Sequence, residues 1–496
     1  MFEKAALSQL NLEDSELQDQ VSTLLNQLGK QDWHWSSWAF QKVVMRLGSY
    51  SLIEYDHQNR TYTIHPLVHY WSGTTFEGNR HDMQKLVLTI IGLSISSTFT
   101  DEDLKYRRTL LKHTNSVASL KLDEINPSVG MQIALIFGEA LRLKELEALE
   151  VMVMEKRKRM LGDDHPDTLT SMESLAGTYL FQGRYSDAEA LMLVVSEKRK
   201  LMLGDDHPDT LKGMVNLANT YKDQGRWSDA EAIYFVVLEK RKSLLGDDHL
   251  DTILTIAELA HTYLFQGRWK EAEALEVVVL GKRKQLLGED HRDTLISMSN
   301  LASAYKEQGR LDDAEVVELE VVEKRKRSLG DDHPFTIMAI GNLAYTYKEQ
   351  GRLKDAEALG VLVLEKCKGI LGDDHPRTLR AMSHLAVTYW KQGRWNDAEA
   401  LQVVTMEKTE RVLGDDHHWT LDNMANLGRT YRNQGRLDDA VLLQEAVLEK
   451  MRRVLGSEHP NTLKSISSLA ATYRDLGRMN EAEALEAVVP HNHDGP

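Results

Sequence analysis

Eight histidines recur every 42 residues, each closing a Gly-Asp-Asp-His loop or a near copy of it: His165, His207, His249, His291, His333, His375, His417 and His459. A histidine beside carboxylates is raw material for a metal site. One His and two Asp per loop, however, do not make a closed structural zinc site. A helix-entry loop fits better, with Asp accepting backbone N–H bonds and His packing against its neighbour. The sequence holds no Gly-x-x-x-x-Gly-Lys-Ser/Thr phosphate loop, no His-Glu-x-x-His, no Cys-x-x-Cys and no nucleophile motif. Catalytic residues, a metal and a cofactor are therefore not expected.

The elements that place these histidines follow from a second marker with the same period. Gln-Gly-Arg recurs with its glycines at Gly183, Gly225, Gly267, Gly309, Gly351, Gly393 and Gly435, and the last copy, at Gly477, has Leu476 in front. Two glycines per period cut each unit into two segments. In the unit that opens at Gly204, residues Leu211, Met214, Leu217, Ala218 and Tyr221 share one face of a helix. Pro208 stands near its start and Gly225 just past its end, and Asp209 or Thr210 is the expected cap. The second segment, from Ala230 to Leu238, is apolar almost all round, as for a helix covered on more than one side. Glu239-Lys240-Arg241-Lys242 puts cations near the negative end of that helix, and Gly246 stops it.

Each unit is thus a helical hairpin, and stacking buries what one hairpin cannot. The predicted fold is an all-α, right-handed α-solenoid over residues 126–489. It has eight clear units after a degenerate first one, in which Glu147-Ala148-Leu149 sits one period ahead of Glu189-Ala190-Leu191. Tyr179, Tyr221, Tyr263, Tyr305, Tyr347, Tyr389, Tyr431 and Tyr473 recur in the apolar register and are expected in the core, with each hydroxyl partnered at the edge.

Bulk properties narrow the setting. The 496 residues carry a formal net charge of −16 and one cysteine, Cys367. A single thiol excludes a disulfide framework and fits a reducing compartment such as the cytoplasm. The acidic balance argues against nucleic acid or an anionic membrane as partner. Met1–Leu12 mixes Glu3, Lys4, Gln9 and Asn11 with apolar residues and does not read as a secretory signal. The most apolar run, Leu86–Ile95, is about half the length of a membrane-spanning helix and reads as a buried one.

Leu217-Ala218, Tyr221 and Ala230 resemble the tetratricopeptide motif in their spacing. The longer unit, with its Leu-Gly-Asp-Asp-His-Pro connection, resembles the repeats of kinesin light chain over Asn126 to Val489. In such repeats the first helices line a concave surface, so the resemblance implies a protein or peptide ligand there. One position on that surface reads Ser174, Asn216, Glu258, Asn300, Asn342, His384, Asn426, Ser468. Six residues on, another reads Leu180, Lys222, Leu264, Lys306, Lys348, Trp390, Arg432, Arg474. Asn donates to and accepts from a peptide backbone, and Lys or Arg favours acidic ligand residues. The candidate peptide-binding set is Asn216, Lys222, Asn300, Lys306, Asn342, Lys348, His384, Trp390, Asn426, Arg432 and Arg474. The competing reading is a solvated face with Asn bonding between neighbouring helices.

Residues 1–75 read differently. Trp38–Leu47 has the pattern of a short amphipathic helix, and Ser49–Tyr55 and Arg60–His65 read as strands around a turn at Asp56–Asn59. Together they suggest a winged-helix-like α+β segment. Leu47-Gly-Ser-Tyr-Ser-Leu-Ile-Glu-Tyr-Asp and Ile64-His-Pro-Leu-Val-His-Tyr-Trp resemble the winged-helix segment of NLR-like signal-transduction ATPases. That resemblance makes His65 a nucleotide-sensing histidine and implies a partner nucleotide-binding module, whose phosphate loop this sequence lacks. On this reading the chain is the ligand-sensing, autoinhibitory repeat arm of a larger receptor. The alternative is a free-standing adaptor of the kinesin-light-chain type. The candidate recognition helix, Trp38–Leu47, has only Lys42 and Arg46 as cations, which is poor for DNA. Residues 76–125 read as a helical bridge and 490–496 as a disordered tail.

Overall fold

The computed structural model describes residues 53–56 and 61–64, single positions between 95 and 114, and residues 125–487 apart from 141 and 458. The helix expected at Trp38–Leu47, His65, most of the 76–125 bridge and the 490–496 tail lie outside the described residues. The chain divides into two compact units, Met1–Ala140 with Ala148–Met160, and Leu141–Glu147 with Leu161–Pro496.

In the first unit, strands β1 (Ile53–Asp56) and β2 (Thr61–Ile64) pair antiparallel, with Ile53 opposite Ile64. Asp56, expected in the turn, instead ends β1, because Thr61 still lies opposite it. Helix α1 (Pro127–Glu139) is capped by Asn126, whose side chain accepts the Ser128 N–H at 2.9 Å. It packs on the middle of α2 (Leu143–Leu161). A Cβ at Gly130 would stand 2.6 Å from a Val153 methyl, so only glycine allows this approach.

The second unit is a right-handed solenoid of eight hairpins. In chain order they are α3 (Pro166–Phe181) with α4 (Tyr185–Leu203), and α5 (Pro208–Asp223) with α6 (Trp227–Leu245). Next come α7 (Leu250–Phe265) with α8 (Trp269–Leu287), and α9 (Arg292–Glu307) with α10 (Leu311–Leu329). Then follow α11 (Pro334–Glu349) with α12 (Leu353–Leu371), and α13 (Pro376–Lys391) with α14 (Trp395–Leu413). The last two pairs are α15 (His418–Asn433) with α16 (Leu437–Leu455), and α17 (Pro460–Asp475) with α18 (Met479–Glu486). Each helix packs on the next, and among the first helices α7 also touches α9, and α11, α13, α15 and α17 touch in turn, which puts them on the inner side.

The loop histidine, not Asp209 or Thr210, caps the first helix. His207 Nδ1 accepts the Asp209 N–H at 3.2 Å, and the other loop histidines do the same in their own units. Pro208, or Leu250, Arg292 or His418 in its place, takes the first helical position, and the capping residue is the one before it. The threonine side chain turns backward instead: Thr252 Oγ1 donates to the Gly246 carbonyl at 2.9 Å, tying the helix to the one before. At the other end, Gly225 has φ +75° and the Arg226 N–H reaches the Tyr221 carbonyl at 2.9 Å, the Schellman closure that favours glycine.

The cations at the end of the second helix serve its neighbours more than its dipole. Lys240 Nζ reaches Asp206 Oδ1 in the loop before, at 2.5 Å. Arg241 is buried and donates forward, to the Asp251 carbonyl and to Thr255 Oγ1, both at 2.8 Å. Gln-Gly-Arg forms a clamp on the preceding hairpin. Gln224 Nε2 and Arg226 Nη1 each reach one oxygen of Glu189 at 2.8 Å, and Arg226 Nε holds Asp229 at 2.7 Å. The guanidinium lies 4.0 Å over the Tyr221 ring. Of the tyrosines expected in the core, Tyr473 is buried and the rest are half-buried, each with this guanidinium over its ring.

The exceptional last clamp has a reason. Where Leu476 replaces Gln, Val441 replaces the Glu it would hold, and the two sit in one apolar cluster. The second helices are also less covered than their composition predicts. Tyr234 and Val237 are fully buried, but Phe235 is 57% and Val236 44% exposed. Stacking covers the sides of the helix, and its outer face meets water.

Candidate binding face

Most residues of the candidate set are held within the fold. Asn216 Nδ2 donates to Glu173 Oε1 at 3.0 Å, and Arg199 grips the same carboxylate through two nitrogens at 2.6 and 2.8 Å. Asn300 Nδ2 donates to Glu276 Oε1 at 3.0 Å. Glu276 is fully buried, and burial pushes its pKa up to about 7 against the Asn300 bond. Lys222 pairs with Glu258 at 2.6 Å. Lys306 pairs with buried Glu318 at 2.8 Å, which also accepts from Thr346 at 2.6 Å. Arg432 pairs with Asp475 at 2.5 Å and Arg474 with Glu486. Asn426 accepts from Arg429.

Around Asn342, Lys348, His384 and Trp390 the pairing is thinner. Lys348 is buried, 3.3 Å from Glu349, and its pKa is lowered by burial with help from Lys391 and Lys306. His384 is reached by water yet flanked by helices. That desolvation, with Arg380, Lys348 and Lys306 nearby, pushes it down to about 4, so it is neutral at pH 7. Asn342 is half-buried. The Trp390 Nε1 donor has no acceptor among the described residues, and Arg429 lies 5.7 Å over its ring.

Two members of this patch were missing from the sequence-based set. Tyr345 has Lys348 Nζ at 4.0 Å and Lys306 Nζ at 5.3 Å from its ring centre, and lies 6.5 Å from the His384 ring. Arg380, exposed, stands one helical turn before His384. A signal existed for both. Their positions within the repeat read Gly177, Asn219, His261, Ser303, Tyr345, Val387, Arg429, Ala471 and Thr170, Lys212, Leu254, Ile296, Met338, Arg380, Asp422, Lys464, as varied as the two rows that were chosen. The patch can seat a carboxylate between cations beside flat rings.

The loop histidines do not gather ligands. Each spends Nδ1 on its own helix, and among the described residues no three His, Cys, Asp or Glu side chains converge on a metal position. Among those residues no helix is long and apolar enough to cross a membrane. A depression of about 400 Å³ lined by Trp395, Asn396, Glu399, Gln434 and Arg436 consists mainly of clamp residues.

The tetratricopeptide repeat pattern matches residues 168–209, 210–251, 252–293, 294–335, 336–377, 378–418, 420–461 and 462–489. No curated protein matches the chain. Among solved structures it is similar to the kinesin light chain nearly identical TPR-like repeats of Podosopora anserina. The identity is 26%, over 42% of this chain and 98% of that one, with a TM-score of 0.36. It is also similar to BtubC of P. vanneervenii (19%, 50% and 92%, 0.36) and to the apo quorum sensor NprR of B. thuringiensis (15%, 76% and 98%, 0.46).

Proposed function

Because the chain belongs to the tetratricopeptide repeat family, we propose that its array is a non-enzymatic binding module that holds an extended peptide or protein segment on the inner face, as a free-standing adaptor of the kinesin-light-chain type. One observation carries this reading. Caps and clamps repeat almost unchanged from hairpin to hairpin, while the inner positions vary along the array. A surface that served stacking alone would repeat as the clamps do. The ligand is an acidic segment, received by Arg380 and Lys348 around Tyr345 and His384, with Asn342 on the helix of Tyr345 and Trp390 on that of His384. Asn216, Asn300, Lys222, Lys306, Arg432 and Arg474 shape the wall through their own acids. A cytoplasmic setting suits the one buried thiol.

A second reading, the sensing arm of an NLR-like receptor, draws on the β1–β2 pair with His65 directly after it. It needs a nucleotide-binding module from elsewhere. The adaptor reading is tested by panning a random-peptide display library on the full chain and on Arg380→Glu/His384→Ala. Enrichment of Asp- and Glu-rich peptides by the parent alone supports it. Equal enrichment by both, or none by either, overturns it.

A further inference from the structure

The stack is more than a series of neighbours. A Cβ built on Gly183 would lie 3.9 Å from the His417 Cα, and one on Gly225 would lie 2.8 Å from the His459 ring. The turn after α3 therefore touches the start of α15, and the turn after α5 touches the start of α17. Successive coils of the solenoid lie against one another, six hairpins on.

The first contact uses residues the other hairpins lack. Tyr185 opens its second helix where the sister positions hold Trp227, Trp269, Leu311, Leu353, Trp395, Leu437 and Met479. His418 opens its first helix where five of the other seven begin with proline and two with Leu250 and Arg292. These two exceptions meet: Tyr185 Oη lies 3.2 Å from His418 Nδ1, although 233 residues separate them. Beside them His417 is 5% exposed, whereas the His207 side chain is 39% exposed. Its Nδ1 accepts the Trp419 N–H at 3.1 Å, and the Phe181 backbone carbonyl lies near its ring. Phe181 is the last residue of α3, so that carbonyl has no partner within its helix. The His417 and His418 rings stack at 4.4 Å, with Trp419 edge-on to both.

We propose that Tyr185, the Phe181–Gly183 turn, His417 and His418 form a latch that holds adjacent coils together and sets how open the inner face is. With the latch closed, the inner face walls a channel; once it is released, the coils separate as hairpins rotate by small steps at each interface. Asp223 and Asp422 face the Tyr185 hydroxyl, and burial together with these two acids pushes it up to about 12. Lys464 faces Asp422 and His459, and His459 faces His418. Burial holds His417 at about 4, and burial with the neighbouring imidazoles holds His418 at about 3, so both are neutral near pH 7.

The latch is read through shape, independently of any ligand. In the full chain carrying Cys367→Ala, the pair Tyr185→Cys and His418→Cys should be joined by a short bismaleimide cross-linker, whose spacer replaces the span of the two side chains, while Leu353→Cys with His418→Cys should not. Tyr185→Leu with His418→Pro installs residues found in sister hairpins. It should raise the radius of gyration in small-angle X-ray scattering with helical circular dichroism unchanged. Failure of the 185–418 cross-link, or an unchanged radius in the swapped variant, overturns the proposal. If the swapped variant unfolds, the cross-link alone decides.

Discussion

At His417 one imidazole caps α15 and is also buried against the turn after α3. Replacing it with Ala should cost about 2–3 kcal/mol, against about 1 kcal/mol for His207→Ala, which loses a cap alone; urea unfolding of the two variants gives the comparison. Buried His417 stays neutral to about pH 4, whereas in the unfolded chain it gains a proton near 6.5. Its burial therefore has no pH-dependent cost above 6.5 and an increasing one as pH falls from 6.5 toward 4. His417→Gln should flatten that part of the stability profile. Glu276 has the opposite sign: its pKa is raised from 4.5 to about 7, so it weakens the fold as pH rises through that range. Gln402 and Gln444 occupy the same repeat position. Glu276→Gln should raise the urea midpoint at pH 7.5 and leave it unchanged at pH 4. The rows containing Asn300 and Lys306 were legible in the sequence as variable positions. Their partners were not, because Glu276 and Glu318 lie on second helices, inside runs that read simply as apolar.

At the scale of the element, glycine and proline punctuation placed the hairpins, because Gly225 and Gly246 require φ values that other residues resist. What escaped was which side chain fills each end. Thr and Asp are the usual caps, and nothing in a lone Gly-Asp-Asp-His string reveals that the helix begins directly after His207 and leaves that task to it. The clamp between hairpins gives the sharpest test. Val441→Glu alone sets a carboxylate against Leu476 and should cost about 1–3 kcal/mol, since half of its hydrogen bonds go unmade. Adding Leu476→Gln supplies the missing donor. A double-mutant cycle from urea unfolding should show a favourable coupling of about 1 kcal/mol or more; strict additivity would mean that the clamp contributes nothing.

For the molecule as a whole, the sequence implied stacking and was silent on coil-to-coil contact. Pattern reading compares residues a few positions or one period apart, and Tyr185 and His418 are 233 apart. Their oddity within the repeat was visible; their meeting was not. Deleting Gly288–Leu329 removes one period and leaves each remaining hairpin with a neighbour of the same kind, so a folded, helical product is expected. The same deletion brings Pro460 opposite Tyr185 and removes the hydroxyl–imidazole bond. Scattering from the deletion should therefore resemble that of Tyr185→Leu/His418→Pro per hairpin, not that of the parent.

The Val441–Leu476 pair also bears on inheritance. Ahead of it, every clamp joins a Glu from one copy to a Gln and an Arg from the next, 35 and 37 residues on. Unequal crossing-over there can add or drop a 42-residue cassette, and whichever copies become adjacent still match. A breakpoint between 441 and 476 would instead set a glutamate against a leucine, or a valine against a glutamine. The final junction is thus a fixed anchor for an array whose copy number is otherwise free to drift, and natural length variants should differ upstream of it.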